Sequence, residues 1–361
     1  MARTDREIDL SQIVTLTDFE PFARERMDPA GFDYVAGGAW DEVTLRESVE
    51  AWRRRRFIPR VLTDVRSVDV GGTFLGRRTT IPIAMPPMAT QTLAHPDGEV
   101  EAVRGAAAAG IPYTCSTPSS RSLEDVAAAA PDAERWFQLY LIDSLEYSRS
   151  LVERASKAGY RAIILTVDLP VLGYRHRDRR SNFVFPPQPH VDGAKTYRGT
   201  RYGAVDEQQA VGLSWKNLAE VQSWTNLPVV LKGILSPADA ARAVEAGVPA
   251  IIVSTHGSRQ LDRAITTADA LPGIVDAVAE RAEVWVDGGI RNGLDVLTAL
   301  ALGADGVLIG RPLYWALATA GARGIERAVQ ILTEELEIAL ALLGSASLAQ
   351  LDRSLIAGAD A

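Results

Sequence analysis

Short apolar runs recur along the chain, and each is separated from the next by a stretch with helical spacing. The residues within a run are apolar without alternation, which is typical of strands that are buried on both faces of a parallel sheet. The eight runs occupy residues 81–87, 113–117, 136–142, 162–168, 228–233, 250–256, 284–290 and 306–311. They predict eight strands in a regular series.

Alanine-rich segments lie between these runs and predict helices, several of which end in an Ala-Gly pair that suits a helix C-terminus. They occupy residues 99–109, 122–130, 147–158, 237–246, 267–281 and 293–302. Alternation of strands and helices indicates a parallel sheet whose outer face is covered by helices. Eight such units fit a closed (β/α)8 barrel, an α/β fold, better than an open doubly wound sheet.

We expect a single domain over residues 1–361, with a helical extension over 1–80, the barrel over 81–320 and C-terminal helices over 321–361. The stretch 170–212, after the fourth predicted strand, is rich in Arg, Pro, Gly and Tyr and has no sustained periodicity. It is far longer than the ~2 to 6 residues usual for such connections. Two interpretations are open, an active-site lid or an insertion without a catalytic role.

Polar residues collect at the C-terminal ends of the predicted strands, where barrels of this kind place their active sites. These residues are Gln138, Tyr140, Thr166, Asp168, Lys232, His256, Asp287 and Arg311. Arg259 follows His256 by three residues, and a base with a nearby cation suits an anionic substrate. The glycines at Gly289 and Gly310 match the phosphate-binding loops that barrels form after strands seven and eight.

Composition narrows the possible functions. The 361 residues are 47% hydrophobic, enough for a large core, and the formal net charge of -8 argues against nucleic acid as the main partner. The basic run 53–56 is interpreted as a solvated face.

A single cysteine, Cys115, excludes an internal disulfide, and with only four histidines we expect no metal site. A charged N-terminus and the absence of an apolar run near ~18 residues predict a cytoplasmic protein without membrane association.

Several motifs in a fixed order carry a resemblance to a known family. They are FDYVAGG from Phe32, AHPDGE from Ala94, FQLY from Phe137, LTVDLPVLG from Leu165, VLKG from Val230, HGSRQLD from His256, VDGGIR from Val286 and IGRP from Ile309. The chain resembles the FMN-dependent α-hydroxy-acid oxidases and dehydrogenases, which include glycolate oxidase, lactate oxidase and the mandelate enzymes. Within the family, the segment from Thr117 to Asp125 resembles bacterial mandelate-type oxidases more than glycolate oxidase.

The resemblance implies FMN across the mouth of the barrel and a role for each matching residue. His256 would take a proton from the substrate, and Asp168 would orient this histidine. Arg175 and Arg259 would bind the substrate carboxylate. The substrate would also receive hydrogen bonds from Tyr34 and from Tyr140, which is grouped with the catalytic residues.

The resemblance further implies a set of cofactor-binding residues. Lys232 would lie near flavin N1 and O2 and stabilise the negative charge of the reduced flavin. The other residues implied to contact FMN are Pro87, Met88, Ala89, Ser116, Gln138, Thr166, Ser254, Asp287, Gly289, Arg291, Gly310 and Arg311.

The implied reaction is oxidation of a 2-hydroxy acid to the 2-oxo acid, with oxygen reduced to hydrogen peroxide. Two alternatives in the same class are a dehydrogenase with another electron acceptor and an oxidative-decarboxylating monooxygenase. From a different class, the alternatives are a catalytically silent flavin-binding or scaffolding protein and a barrel that uses reduced FMN for isomerisation. Relatives are commonly tetramers or larger, so we expect a homo-oligomer.

The chain departs from the family pattern at Thr255, Ser258 and Pro118, and glycolate oxidase has a tryptophan at the last position. The smaller Pro118 predicts an aromatic or bulky substrate.

Overall fold

The computed structural model describes residues 8–142, 145–181, 183–192 and 213–358. Its strands are β1 (Gly72–Phe74), β2 (Arg77–Thr79), β3 (Ile83–Ala84), β4 (Tyr113–Cys115), β5 (Arg135–Leu139), β6 (Ala162–Thr166), β7 (Val229–Ile234), β8 (Ala250–Val253), β9 (Glu283–Asp287) and β10 (Gly306–Leu308). Strands β3 to β10 form one parallel sheet in the order β3-β10-β9-β8-β7-β6-β5-β4. A parallel bridge between Met85 and Tyr113 joins the two ends of this sheet. The predicted eight-stranded barrel is therefore confirmed.

Helices surround the sheet and connect its strands. They are α1 (Phe19–Arg26), α2 (Pro29–Ala36), α3 (Val43–Arg53), α4 (Glu99–Ala109), α5 (Leu123–Ala129), α6 (Leu145–Lys157), α7 (His176–Ser181), α8 (Pro189–Asp192), α9 (Trp215–Ser223), α10 (Pro237–Glu245), α11 (Thr267–Val278), α12 (Gly293–Ala301) and α13 (Arg311–Leu342), the last kinked at Ala320 and Gly321. All six helices predicted between strands are present, with ends that differ by three residues at most. Buried apolar faces of these helices pack around the barrel wall and form the larger core.

The inside of the barrel is filled by a second, smaller core. Trp136 of β5 stacks on Trp285 of β9 with ring centroids 4.9 Å apart, and Phe74 of the β1–β2 hairpin packs edge-on against both rings. Small and branched side chains complete this layer, namely Ala84, Ala162, Ile164, Val230, Ala250, Ile252 and Leu308. The hairpin was not among the sequence predictions, because its strands are only three residues long.

Most strands end earlier than the apolar pattern predicted. The run 250–256, for example, pairs only as far as Val253, and 284–290 only as far as Asp287. The cause is the backbone conformation that follows, since His256, Gly257 and Ser258 have φ values of 57°, 64° and 62°. Strand pairing requires negative φ, so these residues form loops that leave the sheet.

The prediction of a lid over residues 170–212 is tested only in part, because residues 193–212 lie outside the described residues. The described portion contains α7 and α8, which the sequence pattern did not indicate. In the described part of the chain no helix combines the length and apolar character needed to cross a membrane. The described residues also contain no cluster of three or more His, Cys, Asp or Glu side chains arranged to hold a metal ion.

Candidate active site

The candidate site is built on a layer of polar side chains directly above the apolar filling of the barrel. Side chains alternate between the two faces of a strand, so the residue two positions after an inward-facing one also points inward. Trp136 is followed in this way by Gln138, Ile164 by Thr166 and Val230 by Lys232. The complete layer contains Ser116, Gln138, Thr166, Lys232, Ser254 and Asp287, all of them buried.

A cavity that is open to solvent lies above this layer. It brings together fifteen of the residues predicted to form the site, which are Tyr34, Pro87, Met88, Ala89, Ser116, Tyr140, Arg175, Lys232, His256, Arg259, Asp287, Gly289, Arg291, Gly310 and Arg311. Four other predicted residues, Gln138, Thr166, Asp168 and Ser254, do not line the cavity. Three of these four hydrogen-bond to residues that do, and Thr166 is paired with Lys232 across β6 and β7.

His256 occupies the centre of a hydrogen-bonded chain. Its Nδ1 lies 2.9 Å from Asp168 Oδ1, and its Nε2 lies 3.3 Å from the Tyr140 hydroxyl. Burial lowers the pKa of His256, although the Asp168 carboxylate opposes that shift. The ring is therefore neutral at pH 7, with Nδ1 directed at the carboxylate and Nε2 available as a base.

Asp168 is placed by the close approach of two strand ends. Burial alone would raise the pKa of Asp168, but the protonated form of His256, the Lys232 ammonium group and the hydrogen bond from His256 outweigh it, and the pKa is lowered overall. The carboxylate packs against Gly233, which has a φ of 111°. A Cβ at position 233 would lie 2.4 Å from Asp168 Cβ, so only glycine fits there.

Lys232 holds a fixed cation at the floor of the cavity. Its Nζ donates a hydrogen bond to Ser254 Oγ at 2.9 Å and lies 3.3 Å from Asp287 Oδ2. Ser254 Oγ also accepts a hydrogen bond from the backbone N–H of His256 at 3.0 Å. Ser254 thus links the lysine to the turn that carries the histidine.

Four arginines converge on the cavity and create a strongly positive region. Arg259 donates to the carbonyl oxygens of Tyr34 and Gly37, and its guanidinium lies 4.7 Å from the centre of the Tyr34 ring. Burial lowers the pKa of Arg311 well below its ordinary value, and repulsion from Arg259, Arg291 and Arg175 lowers it further. A cluster of like charges that is partly withdrawn from solvent is stabilised by anions, so the cavity is suited to phosphate and carboxylate groups.

The end of the cavity near β9 and β10 has the features of a phosphate site. Gly310 is the N-cap of α13, so unpaired N–H groups and the positive end of the helix dipole meet there. Gly289 has a φ of 80°, and a Cβ at that position would lie 2.1 Å from the Ser48 carbonyl oxygen. Glycine is required at position 289 because α3 packs directly against this loop.

The sequence analysis missed several cavity residues, including Leu169, Leu172, Phe185, Gln188 and Tyr314. Tyr314 lies one helical turn after Arg311, so the i, i+3 spacing within α13 was a usable signal. Phe185 and Gln188 belong to the stretch without periodicity. No sequence pattern located them, since their position depends on how that stretch folds over the barrel.

The fold and this cavity define a barrel enzyme that binds a phosphorylated cofactor beside an anionic substrate. A family model described as FMN-dependent dehydrogenase matches residues 23–358. The chain is 44% identical to L-lactate oxidase from Nostoc sp. (96% of this chain, 99% of that protein) and 40% identical to 2-Hydroxyacid oxidase 1 from Mus musculus (96% and 97%). It superposes on mandelate oxidase with (S)-4-hydroxymandelic acid with a TM-score of 0.88, 43% identity and coverage of 93% and 96%. The chain belongs to the FMN-dependent dehydrogenase family, as its motifs indicated.

The side chains of the polar layer fit FMN, the cofactor of this family. Among the described residues, Gln138 Nε2, Thr166 Oγ1 and Asp287 Oδ1 are buried without a hydrogen-bond partner. An amide donor, a hydroxyl and a carboxylate oxygen suit the heteroatom edge of a flavin ring and the hydroxyls of its ribityl chain. Buried polar atoms are nearly always paired, so these three atoms fit a bound group that would supply their partners.

Proposed function

We propose that the protein catalyses the oxidation of a 2-hydroxy acid to the 2-oxo acid, with two electrons passing through FMN to oxygen and hydrogen peroxide formed as the second product. The observation that carries this proposal is the chain Tyr140–His256–Asp168, which presents a neutral imidazole to a cavity rich in arginine. The activities given in the names of the relatives support it. When bound, FMN supplies the two-electron acceptor, a chemistry that no amino-acid side chain provides.

The site residues would divide the work between binding and proton transfer. Arg259 and Arg175 would bind the substrate carboxylate, and Tyr34 and Tyr140 would hydrogen-bond to the carboxylate or the hydroxyl group. His256 Nε2 would then accept a proton from the bound hydroxy acid. Burial raises the pKa of Tyr140 well above its ordinary value, so its hydroxyl remains a hydrogen-bond donor throughout the working pH range.

The cationic side chains at the cofactor end would have a separate role. Lys232, held by Ser254 and Asp287, would offset negative charge that develops on the cofactor during substrate oxidation. Arg291, Arg311 and the N-terminus of α13 would bind the phosphate. Asp168 would stabilise His256 after that residue has accepted the proton, which is the usual role of a carboxylate behind an imidazole.

Anaerobic reduction of the bound flavin tests the proposal directly. The purified yellow protein is mixed with mandelate, lactate and glycolate, and loss of the flavin absorbance near 450 nm is recorded at ~1 mM substrate, a typical upper value of KM. We expect at least one hydroxy acid to bleach the flavin, and we expect His256→Ala to bind FMN, remain folded and fail to be reduced. Near-normal reduction of that variant would refute the assignment of His256 as the base.

Admission of air then distinguishes the possible electron acceptors. Stoichiometric hydrogen peroxide and 2-oxo acid would support an oxidase, release of carbon dioxide would indicate the monooxygenase, and slow reoxidation would indicate a dehydrogenase. Cytoplasmic location, a homotetramer or larger assembly, and the single-domain division at residues 80 and 320 remain predictions. Fractionation, light scattering and limited proteolysis would test them.

A further inference from the structure

Residues 183–190, named here the aromatic wall, follow α7 and end in the first two residues of α8, and two of them, Phe185 and Gln188, line the cavity. Phe183 is buried, and its ring stacks on Tyr34 with centroids 4.4 Å apart and planes 9° from parallel. Phe185 lines the cavity and meets the rings of Tyr34 and Phe183 edge-on at 5.2 and 5.1 Å. The wall therefore places the Phe185 side chain on the same cavity as the arginines proposed to bind the carboxylate.

The first anchor of the aromatic wall is Gln188, which is buried. Its Nε2 donates a hydrogen bond to Thr90 Oγ1 at 3.0 Å, and Thr90 Oγ1 in turn donates to the Pro118 carbonyl at 3.2 Å. The Thr90 carbonyl accepts a hydrogen bond from the Tyr314 hydroxyl at 2.9 Å. Gln188 is thus fixed to the loops that follow β3 and β4, and through them to α13.

The second anchor is His190, whose side chain is fully buried. Its Nε2 accepts a hydrogen bond from the Leu123 backbone N–H at 2.8 Å, which requires a neutral ring with the proton on Nδ1. Nδ1 lies 3.2 Å from the Thr117 carbonyl, to which it donates, and 3.1 Å from Ser119 Oγ. Nδ1 therefore contacts the residues on either side of Pro118, and Nε2 binds the backbone at the start of α5.

These contacts make the aromatic wall and the loop around Pro118 one rigid unit. If the wall moved away, the buried polar atoms of Gln188 and His190 would lose their hydrogen-bond partners, which costs free energy in a low-dielectric interior. The lining of the cavity combines apolar side chains, which include Phe185, Leu169 and Leu172, with the four arginines. The apolar side chains suit the side chain of a substrate, whereas the arginines suit its carboxylate.

We propose that Phe185 contacts the side chain of the substrate and selects 2-hydroxy acids with an aromatic group on the α-carbon, and that Gln188 and His190 are positioning residues that hold Phe185 in place. This inference rests on the proposed function. An aromatic ring seated edge-on or offset against Phe185 gains more than its buried area alone provides, whereas the methyl group of lactate is too small to use this contact.

Substrate preference in the FMN-loaded enzyme tests the role of Phe185. We expect Phe185→Ala to lower the ratio of kcat/KM for mandelate over lactate by about five- to tenfold, mostly through a higher KM for mandelate. Phe57→Ala serves as the matched control, because Phe57 is partly buried against the main core and does not line the cavity. An unchanged ratio in Phe185→Ala, or the same fall in Phe57→Ala, would overturn the inference.

Variants at the anchors test the positioning role. His190→Gln keeps one acceptor and one donor and should retain the wild-type ratio, whereas His190→Phe keeps the bulk without the hydrogen bonds and should lower it. Combining His190→Phe with Phe185→Ala should lower the ratio no further, because both act through one contact. Should His190→Phe fail to fold, Gln188→Met removes the other anchor. A wild-type ratio in folded His190→Phe, or in Gln188→Met where His190→Phe does not fold, would refute the positioning role.

A binding measurement separates this inference from the proposed function. Phenylacetate and acetate carry the carboxylate but no α-hydroxyl, so their effect on the Tm of the holoenzyme reports binding without turnover. We expect a larger Tm increase with phenylacetate, and Phe185→Ala should remove the difference. If no hydroxy acid bleaches the flavin, the proposed function fails while this measurement still decides the inference. Equal shifts for the two carboxylates in the wild type would overturn it.

Discussion

Replacing Gly233 by alanine tests whether Asp168 works through its position beside His256. Gly233 lies at the irregularity in β7, and a Cβ there would lie 2.4 Å from Asp168 Cβ and 2.6 Å from Asp168 Cγ. Carbon atoms in favourable contact are ~3.5 to 4.0 Å apart, so the Asp168 side chain must move by about 1 Å. The hydrogen bond between Asp168 and His256 is 2.9 Å long and would be broken by that displacement.

The size of the effect follows from two separate contributions. The φ of 111° at Gly233 is unfavourable for alanine, which costs about 1–2 kcal/mol, and the added methyl group overpacks the site by about 1–3 kcal/mol. The free energy of unfolding should therefore fall by about 2–5 kcal/mol. A misplacement of about 1 Å in a catalytic group lowers the rate of the chemical step by about 100-fold.

Stopped-flow measurement of anaerobic flavin reduction at saturating substrate is the appropriate assay for Gly233→Ala. Gly247→Ala is the matched control, because Gly247 has a φ of 77° but no atom within 4 Å of its Cβ position. The control should lose about 1 kcal/mol of stability and keep its rate of flavin reduction. A folded Gly233→Ala variant that is reduced within threefold of the wild-type rate would refute the positioning of Asp168, a threshold equal to about 0.65 kcal/mol.

Three further predictions concern pH and packing. Flavin reduction should slow only at pH values below the ordinary imidazole pKa of about 6.5, because the pKa of His256 is lowered and only the neutral ring accepts a proton. Asp168→Asn should move this acid limb to lower pH, and a move to higher pH would contradict the pairing. Buried His190 has a pKa of about 4, so the unfolded chain binds more protons between pH 6.5 and 4. Urea titrations of the holoenzyme should show that the free energy of unfolding falls by about 3 kcal/mol as the pH is lowered through that range, and His190→Gln should remove this fall. Equal pH dependence in both proteins would disprove the assignment. Trp285→Ala should destabilise the barrel by about 3–5 kcal/mol, and a loss below about 1 kcal/mol would contradict the tight packing of its interior.

Much of the fold could be predicted because each β/α unit carries its own pattern. The run 162–168 contains the observed strand β6, and the helix predicted at 99–109 has the bounds of α4. The ends of strands were harder, since His256 looks like a strand residue in sequence while its backbone is left-handed. The β1–β2 hairpin gave no signal, because Phe74 acquires its role only when it meets Trp136 and Trp285 inside the barrel.

The candidate site was predictable to the extent that strand order determines it. Parallel strands bring their C-terminal ends to one face, so Lys232 and Asp287, 55 positions apart in the chain, lie within 3.3 Å of each other. The aromatic wall was not predictable. Phe185 and His190 belong to a stretch without period, and their contacts are with Tyr34 and Leu123, which the sequence places far away.

The sequence by itself determined the class of fold, the face on which the chemistry lies and the residue types available there, because local periodicity and strand order are properties of the chain alone. The tertiary structure decided which of those residues line the cavity, how the pKa of His256 is shifted and which side chains surround the substrate. These features depend on burial and on distances between remote segments, as in the packing of Asp168 against Gly233. They arise only when the barrel has closed.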